Sequence, residues 1–165
     1  MLTDEQQQTW FAYMRVVLRL NYEMNRQLQT ESDLSLPDYH VLNALGDSDG
    51  GRLRLTALAA RIGWERSRVS HHLRRMAGRG LVQLSKSAQD GRATDAVLTE
   101  QGRIALQAST PGHAALVHRM FFEGLDEELL TPLRTALEEI HAQVLRTGTL
   151  PAPGQPQRRL SGLPD

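Results

Sequence analysis

Six side chains able to donate or share protons crowd into one short stretch: Ser67, Arg68, Ser70, His71, Arg74 and Arg75. An arginine guanidinium carries five N–H donors and can place two of them on guanine O6 and N7 or on a phosphate. Serine and histidine serve as base or phosphate contacts. Spacing arranges these groups. At 100° per residue Val69, Leu73 and Met76 fall on one narrow helical face, which should pack inward. Ser67, His71, Arg74 and Gly78 fall opposite, with Arg68 and Arg75 on one flank, and His72 sits near the core flank as a packing or interface residue. A helix of this kind suits the major groove of a duplex, and its first turn brings unpaired N–H groups towards phosphate.

A second cluster follows within twenty residues. Residues 90–102 read DGRATDAVLTEQG. Asp90-Gly91 has turn chemistry, Arg92 comes next, and Thr94 to Leu98 has strand character. With Leu81 to Ser85 as a preceding strand, Ala88 to Arg92 becomes a hairpin tip. An arginine there suits a narrow minor groove, where negative potential concentrates. Lys86 can touch backbone phosphate, and Asp90 is expected to pair with a nearby arginine and fix the hairpin's shape.

The elements that must position these groups can be read along the chain. Thr3 and Gln6 form a capping box for a long first helix to about Gln29. Ser35 caps a second helix with Pro37 in its first turn, burying Val41, Leu42 and Leu45. Gly46 to Gly51 is a turn, and Leu53 to Leu55 forms a short strand. Thr56 opens an alanine-rich third helix that Gly63 ends, and the basic fourth helix runs from about Glu65 to Gly78. This is a helix-turn-helix. Thr99 begins a fifth helix, which Thr110-Pro111-Gly112 should kink or interrupt. Asp126 caps a last helix carrying Leu129, Leu133, Leu137, Ile140 and Val144. Thr147 to Asp165 holds four of the seven prolines and is expected to be disordered. The order helix-turn-helix, strand, charged loop, strand, helix implies a winged helix-turn-helix, mainly α with a small β-hairpin wing.

Composition narrows the function. The 165 residues carry no net charge, but the charge is segregated. Residues 52–92 carry +8, residues 1–51 carry −5 and residues 93–165 carry −3. A basic block between acidic ones is the footprint of a local phosphate-binding surface. The absence of cysteine excludes disulfides, thiolate metal sites and thiol-based sensing. No apolar run is long enough to span a membrane, and the first residues lack signal-peptide character, so a cytoplasmic location is expected. Phosphate loop, serine elbow and cysteine nucleophile are all missing, so an enzyme is not expected. Asp126, Glu127 and Glu128 sit where a first helical turn favours acids.

From about residue 5 to residue 146 the chain resembles the MarR family of transcriptional regulators. The resemblance rests on the Asp-x-Arg wing followed by Leu98-Thr99 and Gly102. It extends to Leu58-Ala59 through Ile62, and to residues 64–73, which look like a branch common in actinobacteria. It implies a homodimer in which the first, fifth and sixth helices interlock, making residues 1–34 and 99–146 the dimerisation region and 35–98 the DNA-binding lobe. It also implies a palindromic operator in double-stranded DNA and, commonly, repression relieved by a small aromatic or phenolic effector. Trp10, Tyr13, Met14, Tyr39 and His40 are the residues that could line an effector site. Some relatives respond to zinc, but His40, His113, His118, Glu31 and Asp38 lack convincing spacing, so no metal and no cofactor are expected. The competing reading is a winged-helix module whose basic face meets an acidic protein.

Overall fold

The computed structural model describes residues 1–87 and 91–154. Ala88 to Asp90, at the expected wing tip, and residues 155–165 of the expected disordered tail lie outside the described residues. Helix α1 spans Asp4–Ser32, three residues beyond the expected end, and both bonds of its Thr3–Gln6 capping box form. Asp33 closes it in the left-handed region, at φ 52°. Helix α2 spans Leu36–Gly46 behind a second capping box, Ser35 with Asp38, and Pro37 occupies its first turn. Because α2 is the middle of the core, Leu36, Tyr39, Val41, Leu42 and Leu45 are all buried on it.

A short antiparallel sheet follows. Strand β1 is Arg52–Arg54, β2 is Val82–Lys86 and β3 is Thr94–Leu98, in the order β1-β3-β2. Val82 pairs with Leu98 and Lys86 with Thr94, so the wing is the β2–β3 hairpin, and β1 covers its other edge. Between β1 and β2 lie α3, Leu55–Ile62, and α4, Arg66–Gly78. Gly63 takes φ 70° after α3 and donates its N–H to Ala59 and Ala60 carbonyls, a turn geometry that disfavours a Cβ. The core gathers Leu28 of α1, α2, Leu58 of α3, Val69, Leu73 and Met76 of α4, the sheet residues Val82, Ala96 and Leu98, and Leu106 of the next helix.

Helix α5 is Glu100–Val117, capped by Thr99, which accepts from the Gly102 N–H at 3.0 Å. Gly102 is where this helix presses on the wing: a Cβ there would lie 2.0 Å from the Leu81 carbonyl oxygen. The expected interruption at Thr110-Pro111-Gly112 does not occur; α5 passes through Pro111 without a break. Its surroundings explain why. Ser109 and Thr110 hydroxyls donate back to the Leu106 carbonyl at 3.0 and 2.7 Å, and Gly112 lets α1 approach so closely that a Cβ would meet Glu31 Oε2 at 2.5 Å. Packing against α1 and α2 therefore keeps helical a segment that local propensity would interrupt. The irregularity comes later, as a π turn at His118–Phe122 closed by the Glu123 N–H on the His118 carbonyl at 2.8 Å. Asp126 also departs from expectation: it offers no side-chain cap and precedes a 3-10 turn, Glu127–Leu129. Helix α6, Leu130–Thr147, buries no residue at all.

Candidate nucleic-acid interface

The α3–turn–α4 unit presents its polar side outward. Val69, Leu73 and Met76 are fully buried, which fixes the rotation of α4 about its axis. That rotation leaves Ser67, Arg68, His71, Arg74 and Arg75 exposed, with Ser70 half-buried. Arg74 Nη2 donates to Ser70 Oγ at 3.2 Å, one turn back along the helix. Lys86 ends β2 and Arg92 lies shortly before β3; both are exposed. Asp90 falls outside the described residues.

The hairpin is tied to its third strand by charge. Arg52 Nη1 of β1 lies 3.2 Å from Asp95 Oδ2 of β3 and donates to Ser85 Oγ of β2 at 3.1 Å. Asp95 is buried, so one arginine crosses all three strands one pair short of the outer end of the β2–β3 ladder.

Behind α4 sits a second charged node. Asp38 Oδ2 accepts from Arg79 Nη1 and from the Ser35 N–H, each at 2.9 Å. Its other oxygen lies 2.9 Å from His72 Nε2. Burial opposes charge on Asp38, but the contacts from His72 and Ser35 outweigh it and hold the carboxyl well below the usual carboxylate range. His72 and Arg79 are seven residues apart, so α4 and its C-cap are gripped from one side at two points. Arg79 also reaches the Asp33 carbonyl oxygen, joining the end of α1 to this node. His72 thus packs inward, on the flank that helical geometry assigns to it.

The effector candidates fall into two groups. Trp10 and Tyr13 are exposed, their rings 5.5 Å apart, and Met14 is half-buried beside them on α1. Tyr39 is buried, with its ring 4.4 Å from that of His113 and its hydroxyl 3.5 Å from Thr110 Oγ1, while neighbouring His40 is exposed. On α1, Gln27 and Glu31 lie against Gly112, the residue before His113. Trp10 lies about 25 Å up the helix axis from them, so one protomer does not gather all five. Among the described residues, no three His, Cys, Asp or Glu side chains are placed to hold a metal. Of the zinc candidates, Asp38 is committed to α4 and Glu31 accepts from Gln27 Nε2 at 2.6 Å. No helix among the described residues is long and apolar enough to cross a membrane.

Sequence reasoning missed Trp64, which carries Arg68: the guanidinium carbon lies 3.9 Å over the ring. The four-residue spacing of Trp64 and Arg68 was the available signal. Nothing local linked Asp38 to α4, because thirty-four residues separate it from His72.

Residues 32–93 match the sequence profile of the MarR family. No curated protein matches the chain. Among solved structures it is similar to Sco3205 of Streptomyces coelicolor, a MarR family transcriptional regulator crystallised in complex with DNA. That match has 30% identity, 92% of this chain and 99% of that chain covered, and a TM-score of 0.86. AbsC, a MarR family regulator of the same organism, is 35% identical, with 87% and 97% covered and a TM-score of 0.82. CouR of Rhodococcus jostii RHA1, solved with p-coumaroyl-CoA, shares the fold at 24% identity, with 80% and 90% covered and a TM-score of 0.70. Match lengths, identities and the winged helix-turn-helix agree: this chain belongs to the MarR family of transcriptional regulators.

Proposed function

We propose that the protein is a homodimeric repressor that binds a palindromic operator and is released by a small aromatic or phenolic ligand. The observation that carries this reading is the outward-facing basic side of α4 beside a charged hairpin. Ser67, Arg68, Ser70, His71, Arg74 and Arg75 serve the major groove, Lys86 serves phosphate, and Arg92 serves the adjacent minor groove. Residues 35–98 form the DNA-binding lobe, and residues 1–34 with 99–146 form the dimerisation region.

Dimerisation is supported by apolar surface that the protomer leaves uncovered. On α1, Phe11, Leu18 and Tyr22 are 57%, 63% and 66% exposed; on α6, Ile140 and Val144 are 60% and 57% exposed. These residues recur at four- and seven-residue steps, so each helix carries an apolar stripe that a second copy would bury. Two recognition helices related by a two-fold axis read two half-sites, hence the palindrome. The effector reading is supported at the α1–α2–α5 junction. There His113 Nδ1 and Gln27 Oε1 are buried without a hydrogen-bond partner, and a ligand hydroxyl could satisfy either.

The test is a salt series on a duplex taken from upstream of the protein's own gene. Affinity should fall with a log–log slope of about −0.9 for each phosphate neutralised. Arg92→Ala should weaken binding and leave the dimer intact. Salt-independent binding, or none to any duplex, would reject the reading.

A further inference from the structure

We propose that Trp64 is a positioning residue for DNA recognition, holding Arg68 in its duplex-contacting pose; this rests on the DNA-binding reading above. Trp64 lies in the turn between α3 and α4, where its backbone N–H donates to the Ala59 carbonyl at 2.9 Å. One aromatic face carries the Arg68 guanidinium, with Cζ 3.9 Å from the ring centroid. The His72 ring meets the same indole edge-on, 5.4 Å away at 83°. His72 Nε2 in turn lies 2.9 Å from buried Asp38 Oδ1, whose other oxygen accepts from Arg79. An exposed arginine is thus supported through two rings on a buried carboxylate.

The chemistry suits a groove-facing cation. The contact places the guanidinium carbon over the indole face, and a guanidinium has five N–H donors, so those directed away from the ring stay available. Arg68 can therefore remain stacked while donating to phosphate or base. An arginine ordered before the duplex arrives loses less rotamer freedom on binding.

The experiment is a double-mutant cycle on that upstream duplex, with a scrambled duplex as control. Trp64→Leu should weaken binding by up to about two- to five-fold per protomer, the strength of an exposed cation–π contact, and so by up to its square for a dimer on its operator. In an Arg68→Ala background the same change should have no effect. Trp64→Phe, which keeps a weaker π face, should recover part of the loss. In a Trp10→Phe background, which leaves Trp64 as the remaining tryptophan, Arg68→Ala should shift the emission of the free protein. An equal loss with and without Arg68 would overturn the proposal, because Trp64 would then act on the fold alone. Full affinity in Arg68→Ala would overturn it too, by leaving no contact to position; binding by the other residues would still stand on the salt series. If Trp64→Leu does not fold, the cycle is run with Trp64→Phe under the same criteria.

Discussion

Removing the Asp38 carboxylate should unfasten α4, and the structure sets the size of the effect. In Asp38→Ala two contributions are lost. The first is half of the α2 capping box, the Ser35 N–H to Asp38 Oδ2 bond at 2.9 Å; helix caps contribute about 1 kcal/mol. The second is the acceptor for Arg79 and His72. Breaking a fully buried ion pair costs about 3–5 kcal/mol, but Arg79 is 42% exposed and can turn to water. A charge-assisted bond of about 1.5 kcal/mol is the better measure. The expected loss is about 2–3 kcal/mol, read by urea unfolding at fixed protein concentration near pH 7. Arg79→Ala should cost less, because Asp38 keeps Ser35 and His72. The pH dependence has a definite sign. The folded carboxyl titrates below its unfolded value, so its contribution is complete above about pH 4 and drains away as pH falls further. That acid-sensitive component should be absent in Asp38→Ala. A loss under about 0.5 kcal/mol, or Arg79→Ala being the worse variant, would refute the node as the anchor of α4.

Other perturbations test other joints. Gly102→Ala places a methyl 2.0 Å from the Leu81 carbonyl oxygen, so backbone must move; a loss of about 1–3 kcal/mol in thermal or urea unfolding is expected, and a neutral result would contradict the packing of α5 on the wing. His113 is pushed below the ordinary histidine range by burial and then by neighbouring His40. The unfolded chain therefore takes up its proton first as pH falls, and stability declines below about pH 6.5 by at most ~1.4 kcal/mol per pH unit. His113→Phe should flatten that decline, and an unchanged slope would assign it elsewhere. Ile140→Glu puts a charge on the uncovered face of α6; light scattering should show the dimer dissociating while circular dichroism keeps the helices. A dimer that persists undiminished would move the interface away from α6.

Much of the local architecture was legible because its causes are local. Thr3 with Gln6, Ser35, Gly63 and Thr99 each stop or start a helix through groups within four residues. The inward face of α4 followed from spacing alone, since Val69, Leu73 and Met76 can share a side only in a helix. Pro111 shows the limit. Its effect depends on what surrounds the helix, and here α5 runs unbroken through it while packed on α1 and α2. Asp126 shows the same limit in reverse: a good capping residue by type, it does not cap.

By itself the sequence determined the element order, the charged block, the turn chemistry and the outward face of the recognition helix, because periodicity and capping act over a few residues. Tertiary structure alone decided which distant groups meet. Asp38 reaches His72 and Arg79, Arg52 spans three strands to Asp95, and Gly102 meets Leu81. Those contacts join residues tens of positions apart, and only the packed core sets their distances.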